Sequence, residues 1–149
     1  MFDLSILSVL VIDDQKTMRT ILRDLLRKTG ICQIMEACDG SEVLSKLQSS
    51  TYRMPDVVIF DLHMDGMDGL EFCNKLRLSK SGHLRKIPVL ILTGDQYPFL
   101  HDVSKQLGVT SVLTKPVSSS KLADHISEAV GFKVSNRGST AAENISTAL

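Results

Sequence analysis

Two short segments of the chain are apolar without alternation: Val57 to Phe60, and Ile87 to Leu92 with Pro88 near its start. A strand with one wet face alternates polar and apolar side chains. An unbroken β-branched and aromatic run bounded by turn residues is therefore read as a strand covered on both faces, the mark of a parallel sheet. The run at Val57 also ends on a carboxylate, Asp61. At the carboxyl end of a parallel strand the chain opens into the crevice where α/β folds place their ligands. Asp61 either caps the element that follows or is a carboxylate placed for chemistry.

Helical periodicity fills the gaps between the runs. The first strand spans Leu7 to Ile12. A helix over Lys16 to Lys28 follows, with Met18, Ile21, Leu22, Leu25 and Leu26 at helical spacing and Gly30 as its stop. A second strand over Ile31 to Glu36 leads to the turn at Asp39-Gly40, and Ser41 is placed to cap a helix carrying Val43, Leu44 and Leu47. Pro55 introduces the third strand, to Phe60, and Asp68 is placed to cap a helix ending near Ser79. Ile87 to Leu92 is the fourth strand, Pro98 to Leu107 a weaker helix, and Val109 to Leu113 the fifth strand. A last helix, capped by Ser118, Ser119 or Ser120, carries Leu122, Ile126, Ala129 and Val130 on one face. Strand and helix alternate five times, which implies a parallel sheet with right-handed crossovers and helices on both faces. Residues 1–131 form this domain. Residues 132–149 are small and polar and read as a tail, flexible or marginally helical from Thr140.

Bulk properties exclude several classes. The 149 residues suit one domain with a sizeable core, and leave no room for an output domain. Seventeen Lys and Arg balance seventeen Asp and Glu, so no global field draws the protein to nucleic acid or an anionic membrane. The apolar N-terminus has neither a basic leader nor a cleavage site and is too short to span a bilayer, and a cytoplasmic location is expected. Cys32, Cys38 and Cys73 suggest neither a disulfide framework nor a zinc site and read as buried reduced thiols. His83, Arg85 and Lys86 read as a small solvated basic loop. Asn144-Ile145-Ser146 matches a glycosylation acceptor without a secretory context.

The strand ends carry the chemistry. Strand one ends on Asp13-Asp14, strand three on Asp61, strand four on Thr93-Gly94, and strand five leads to Lys115-Pro116. In a parallel sheet these ends share one edge, so carboxylates, a hydroxyl and an ammonium converge. Clustered carboxylates repel one another, and a hard divalent cation such as Mg²⁺ is the usual remedy. The set reads as a metal site beside a phosphoryl-handling site.

Asp13-Asp14, then Asp61 within D-x-x-M-x-x-M-D-G, then Thr93-Gly94, then Lys115-Pro116 together resemble the receiver domain of two-component response regulators, from Leu7 to about Gly131. The resemblance implies a flavodoxin-like, doubly wound five-stranded parallel sheet of order 2-1-3-4-5 with five helices. It implies that Asp61 accepts a phosphoryl group from a kinase phosphohistidine. Asp14, Asp61 and the backbone carbonyl of His63 would hold Mg²⁺, with Asp13 assisting through water. Thr93 and Lys115 would each contact a phosphoryl oxygen, and a cis Lys115-Pro116 peptide would aim the ammonium inward. The protein would then be a non-enzymatic phosphoacceptor switch that assists its own phosphorylation and dephosphorylation. A histidine kinase or phosphotransfer protein would be its donor. A protein target would read the face made by the fourth helix, fifth strand and last helix. It would act as a stand-alone chemotaxis-type messenger, relay intermediate or phosphate sink.

The chain departs from the family pattern in three places. Asp65 stands where many members have Pro, and Val112 where many have an aromatic switch residue. His63 and Asp95 occupy rim positions that either tune phosphoryl lifetime or are merely solvated. Tyr97 and Phe99 either face a partner or pack under a loop. Two rival classes fit less well. A haloacid-dehalogenase-type Mg²⁺ phosphatase wants an aspartate two residues after its nucleophile, where His63 stands. A flavodoxin-type carrier needs a phosphate loop after strand one, where Asp13-Asp14 would repel the phosphate.

Overall fold

The computed structural model of the protein describes residues 3–49, 53–62, 67–94 and 100–137. After a single 3-10 turn at Leu4–Ile6 come β1 (Ser8–Ile12), α1 (Lys16–Lys28), β2 (Gln33–Ala37), α2 (Gly40–Leu47), β3 (Val57–Asp61) and α3 (Gly69–Arg77). They are followed by α4 (Gly82–Lys86), β4 (Val89–Thr93), α5 (Leu100–Gln106), β5 (Ser111–Thr114) and α6 (Ser119–Arg137). The five strands form one parallel sheet in the order β2-β1-β3-β4-β5. The fold is the expected doubly wound one.

Alternate residues of the apolar runs feed two cores. Val9, Val11, Ile59, Leu90 and Leu92 point to one face, where Leu22 and Leu26 of α1 and Leu122 and Ile126 of α6 cover them. Leu10, Ile12, Val58, Phe60 and Ile91 point to the other, against Val43 and Leu47 of α2, Phe72 and Leu76 of α3 and Leu100 of α5. Every residue of β1, β3 and β4 is buried, which explains why those segments carry no polar alternation. The Phe60 and Phe72 rings sit 4.9 Å apart. Gly69 opens α3 against this cluster, where a Cβ would come within 2.5 Å of Ile91 Cδ1.

Apart from the short α4, each helix follows a strand and runs back from the edge where the strands end. Side chains follow that polarity. Glu42, Glu71 and Asp102 stand in the first turns of α2, α3 and α5, and Arg27, Lys28, Lys46, Lys75, Arg77 and Lys105 in the last turns of α1, α2, α3 and α5. This arrangement complements the helix macrodipoles.

Several sequence readings need correction. There are six helices among the described residues, not five. The segment read as a basic loop is α4, because Ser81 accepts from the Leu84 amide as an N-cap and Leu84 is buried. The cap of α2 is Asp39, which accepts from the Ser41 amide, not Ser41 itself. Of the three cysteines only Cys73 is buried; Cys32 and Cys38 flank the edge strand β2 and are exposed. The last helix continues through Gly131 to Arg137. No helix of the described residues is long and apolar enough to cross a membrane.

Candidate phosphoacceptor site

Sheet register assembles the site. Ile12 lies beside Phe60 across β1 and β3, so the next residues, Asp13 and Asp61, stand side by side at the end of the sheet. Asp61 pairs with Leu92, which puts Thr93 one residue further on. Thr93 pairs with Thr114, and the Lys115 amide donates to the Thr93 carbonyl at 2.8 Å. Four residues far apart in sequence thus reach one edge because parallel strands end together.

The Lys115 ammonium donates to Asp61 Oδ2 at 3.1 Å, and the Lys115-Pro116 peptide is cis. The Asp61 side chain is 8% exposed. Asp13 and Thr93 have no accessible surface at all. Asp13 Oδ1 accepts from the Gln15 amide at 2.9 Å, while its Oδ2 is buried with no hydrogen-bond donor. Burial, followed by the repulsion of Asp61, raises the Asp13 pKa from 3.8 to about 6, against the opposing pull of the Gln15 amide and Lys115. Two acceptor-only carboxylates thus share one buried corner, and the Lys115 ammonium balances only one of their charges.

An orphaned buried carboxylate oxygen beside a second carboxylate is what a hard divalent cation relieves, so these residues fit Mg²⁺. Asp14 follows directly and is exposed. Among the described residues no three His, Cys, Asp or Glu side chains form a metal group by themselves. The remaining ligand named from the sequence, the His63 carbonyl, lies outside the described residues, as do Asp65, Asp95, Tyr97 and Phe99. Val112 is half-buried and packs against the Phe60 side of the core.

Sequence reasoning missed Arg19. Its Nη1 donates to the Asp13 carbonyl at 2.7 Å and its Nε to Glu36 at 3.0 Å. Arg23 binds the other oxygen of Glu36, and together the two guanidiniums hold the Glu36 pKa below its ordinary value, Arg23 contributing most. The network ties α1 and β2 to the backbone of the acidic loop. The signal was present as two arginines four residues apart on α1 and a lone glutamate on the neighbouring edge strand. Beside Lys115, an apolar hollow of about 380 Å³ opens between Met18, Ile21 and Leu25 of α1 and the Pro116-Val117 turn.

Known proteins share this fold. The family model "Response regulator receiver domain" matches residues 9–127. The chain is 34% identical over 120 residues to the sensory/regulatory protein RpfC of Xanthomonas campestris, covering 80% of this chain and 16% of that protein. It is 32% identical over 110 residues to the alkaline phosphatase synthesis transcriptional regulatory protein PhoP of Bacillus subtilis, covering 74% of this chain and 42% of that one. The chain therefore spans less than half the length of these curated relatives. Among solved structures, the chemotaxis response regulator CheY4 of Vibrio cholerae superposes with a TM-score of 0.70 at 29% identity, over 83% of this chain and 98% of that one.

Proposed function

The chain belongs to the response regulator receiver domain family, and on that premise we propose that it accepts a phosphoryl group on Asp61 in a Mg²⁺-dependent reaction and signals through phosphorylation-dependent protein contacts. One observation carries the reading: a nearly buried Asp61 with the Lys115 ammonium at 3.1 Å on one side and the orphaned Asp13 oxygen on the other. In this reaction an Asp61 carboxylate oxygen attacks the phosphorus of a donor phosphohistidine. The new O–P bond forms as the P–N bond breaks, and the bond pair leaves with the imidazole. The product is an aspartyl phosphate.

Phosphoryl transfer asks the protein mainly for positioning and charge neutralisation. Register supplies the first, because Asp13, Asp61, Thr93 and Lys115 are fixed by strand ends and not by mobile side-chain searches. Lys115 supplies part of the second, as the cation already paired with Asp61. Asp13, Asp14, Asp61 and the His63 carbonyl would hold Mg²⁺, which supplies the remaining positive charge against the incoming phosphoryl oxygens. Thr93 would donate to one of those oxygens. Domains of this family are phosphoacceptor switches. For this chain the donor would be a histidine kinase or phosphotransfer protein, and the reader a protein meeting the α5, β5 and α6 surface at the open edge of the sheet. The haloacid-dehalogenase reading has no observation in its favour.

The test is intact mass after incubation with Mg²⁺ and acetyl phosphate. The wild type gains one phosphoryl group, and Asp61→Asn gains none. Equal gain by both, or none by the wild type, would remove Asp61 as acceptor. Trapping partners with and without beryllofluoride, which stands in for the phosphoryl group, then separates a messenger from a relay intermediate or a sink.

A further inference from the structure

Away from the phosphoacceptor edge, one guanidinium joins the ends of three helices. Arg77, the half-buried last residue of α3, donates from Nε to the Gly108 carbonyl at 2.9 Å and from Nη1 to the Arg85 carbonyl at 3.1 Å. Arg85, on α4, donates back to the carbonyls of Ser79 and Lys80, which trail α3, at 3.2 and 3.3 Å. Carbonyls at helix C-termini lack intrahelical donors, and the rigid fork of an arginine supplies several at once. Gly108, just past α5, has a positive φ of 86°, and a Cβ there would stand 2.7 Å from Arg77 Cγ. Glycine is therefore required both by the backbone and by the arginine lying over it.

We propose that Arg77 is a positioning residue that pins the turn between α5 and β5 against α3 and α4, so that displacement begun at Thr93 is confined to the near part of α5 and stops at Gly108. The two ends of α5 differ in their anchorage. Its start is seated by the apolar packing of Leu100 in the core, which is non-directional. Its far end is held by a charged donor that itself bridges to α4. A helix fixed at one end pivots instead of translating. The pinning itself does not depend on phosphorylation; the confinement rests on the reading of Asp61 given above.

Hydrogen exchange of the full chain tests the pinning. In Arg77→Ala, the amides of Gly108, Val109 and α4 exchange about ten-fold faster relative to those of β1 and β3, as expected when a local anchor is lost. Arg77→Lys keeps the charge but cannot bridge both carbonyls, so it restores only a minor part of the protection. Gly108→Ala speeds exchange of the same amides, and the two substitutions together exceed Arg77→Ala, because the positive φ strains an alanine even without the arginine. A uniform acceleration across the sheet, or an Arg77→Lys variant indistinguishable from wild type, would overturn the pinning. Amide NMR shifts induced by beryllofluoride test the confinement. Along α5 they end before Gly108 in the wild type, whereas in Arg77→Lys they run on through Gly108 and into α4; identical patterns along α5 and α4 in the two proteins would refute it. A wild type that shows no response to beryllofluoride anywhere removes the phosphorylation reading and the confinement with it, while the exchange data still decide the pinning.

Discussion

Replacing Asp13 by Asn should stabilise the metal-free protein, and by an amount that grows with pH. Asp13 titrates near 6 in the folded chain because it is buried beside Asp61, against 3.8 ordinarily. A raised carboxyl pKa means that the folded state holds the proton more tightly than the unfolded one. The stability this contributes is full below pH 3.8 and is lost as pH rises through 6. A gap of about two units, at about 1.36 kcal/mol each, corresponds to about 3 kcal/mol at neutral pH. The amide side chain keeps an acceptor for the Gln15 amide and removes the charge. Urea unfolding in EDTA should therefore give wild type and Asp13→Asn about equal stability near pH 4, with the variant about 3 kcal/mol more stable near pH 7.5. Mg²⁺ at about pH 7.5 should narrow the gap, since by the proposed function it would bind the folded carboxylates of the wild type and would find one carboxylate fewer in the variant. A difference that stays flat with pH would show that Asp13 is ionised without strain, and the argument for the metal from its orphaned oxygen would fall.

Lys115→Ala removes the cation that opposes the repulsion between Asp61 and Asp13, so the Asp13 carboxyl titration followed by NMR should move above 6; an unmoved midpoint would mean that the ammonium is electrostatically remote. Gly69→Ala places a Cβ 2.5 Å from Ile91 Cδ1 and should cost about 1–3 kcal/mol in urea unfolding, whereas a neutral result would show that the Ile91 terminal methyl swings aside within the core. Glu36→Gln leaves Arg19 and Arg23 without their shared carboxylate. Because Glu36 titrates below its ordinary 4.5, the loss is present at neutral pH and vanishes as pH falls below that value, and for this partly exposed network it should be about 1 kcal/mol. With beryllofluoride, Leu100 and Val112 amides should shift without any aromatic rotamer change at β5, since Val112 is a short apolar side chain already packed in the core; changes confined to the neighbourhood of Asp61 would point to another output surface.

The site was legible because its four central residues sit where apolar runs stop. Asp61 and Thr93 close β3 and β4, Asp13 and Lys115 directly follow β1 and β5, and parallel pairing makes adjacency in sequence into adjacency in space. Strand starts were less legible. Leu7, Ile31, Ile87 and Val109 are buried yet precede the ladders, because burial under a helix end needs no strand pairing. The strands also extend to Asp61, Thr93 and Thr114, polar residues that periodicity assigns to loops. The α4 helix escaped notice because one buried leucine, Leu84, in so short a segment gives no period to read. Arg19 and Arg77 escaped for a different reason. Each acts on main-chain carbonyls brought close only by the fold, at Asp13 for the first and at Gly108 and Arg85 for the second, and a carbonyl has no signature in sequence.

The opposed charges at the two ends of the helices have a consequence for encounters in solution. A chain with seventeen positive and seventeen negative side chains carries no net charge, yet α2, α3 and α5 each carry an acidic side chain in the first turn, toward the Asp61 edge, and a basic one in the last. Such a molecule has a dipole moment, and an approaching charged partner exerts a torque on it before contact. A cationic surface turns the Asp61 edge toward itself; an anionic one turns it away. Transfer of a phosphoryl group replaces the Asp61 carboxylate charge of about −1 by about −1.5 to −2 on the phosphate, so the edge that is already negative gains up to about one charge, enlarging the dipole and giving the molecule a net charge that it lacked. The rates at which the two forms meet the same partner should then differ in their response to ionic strength even if their contacts, once made, were the same.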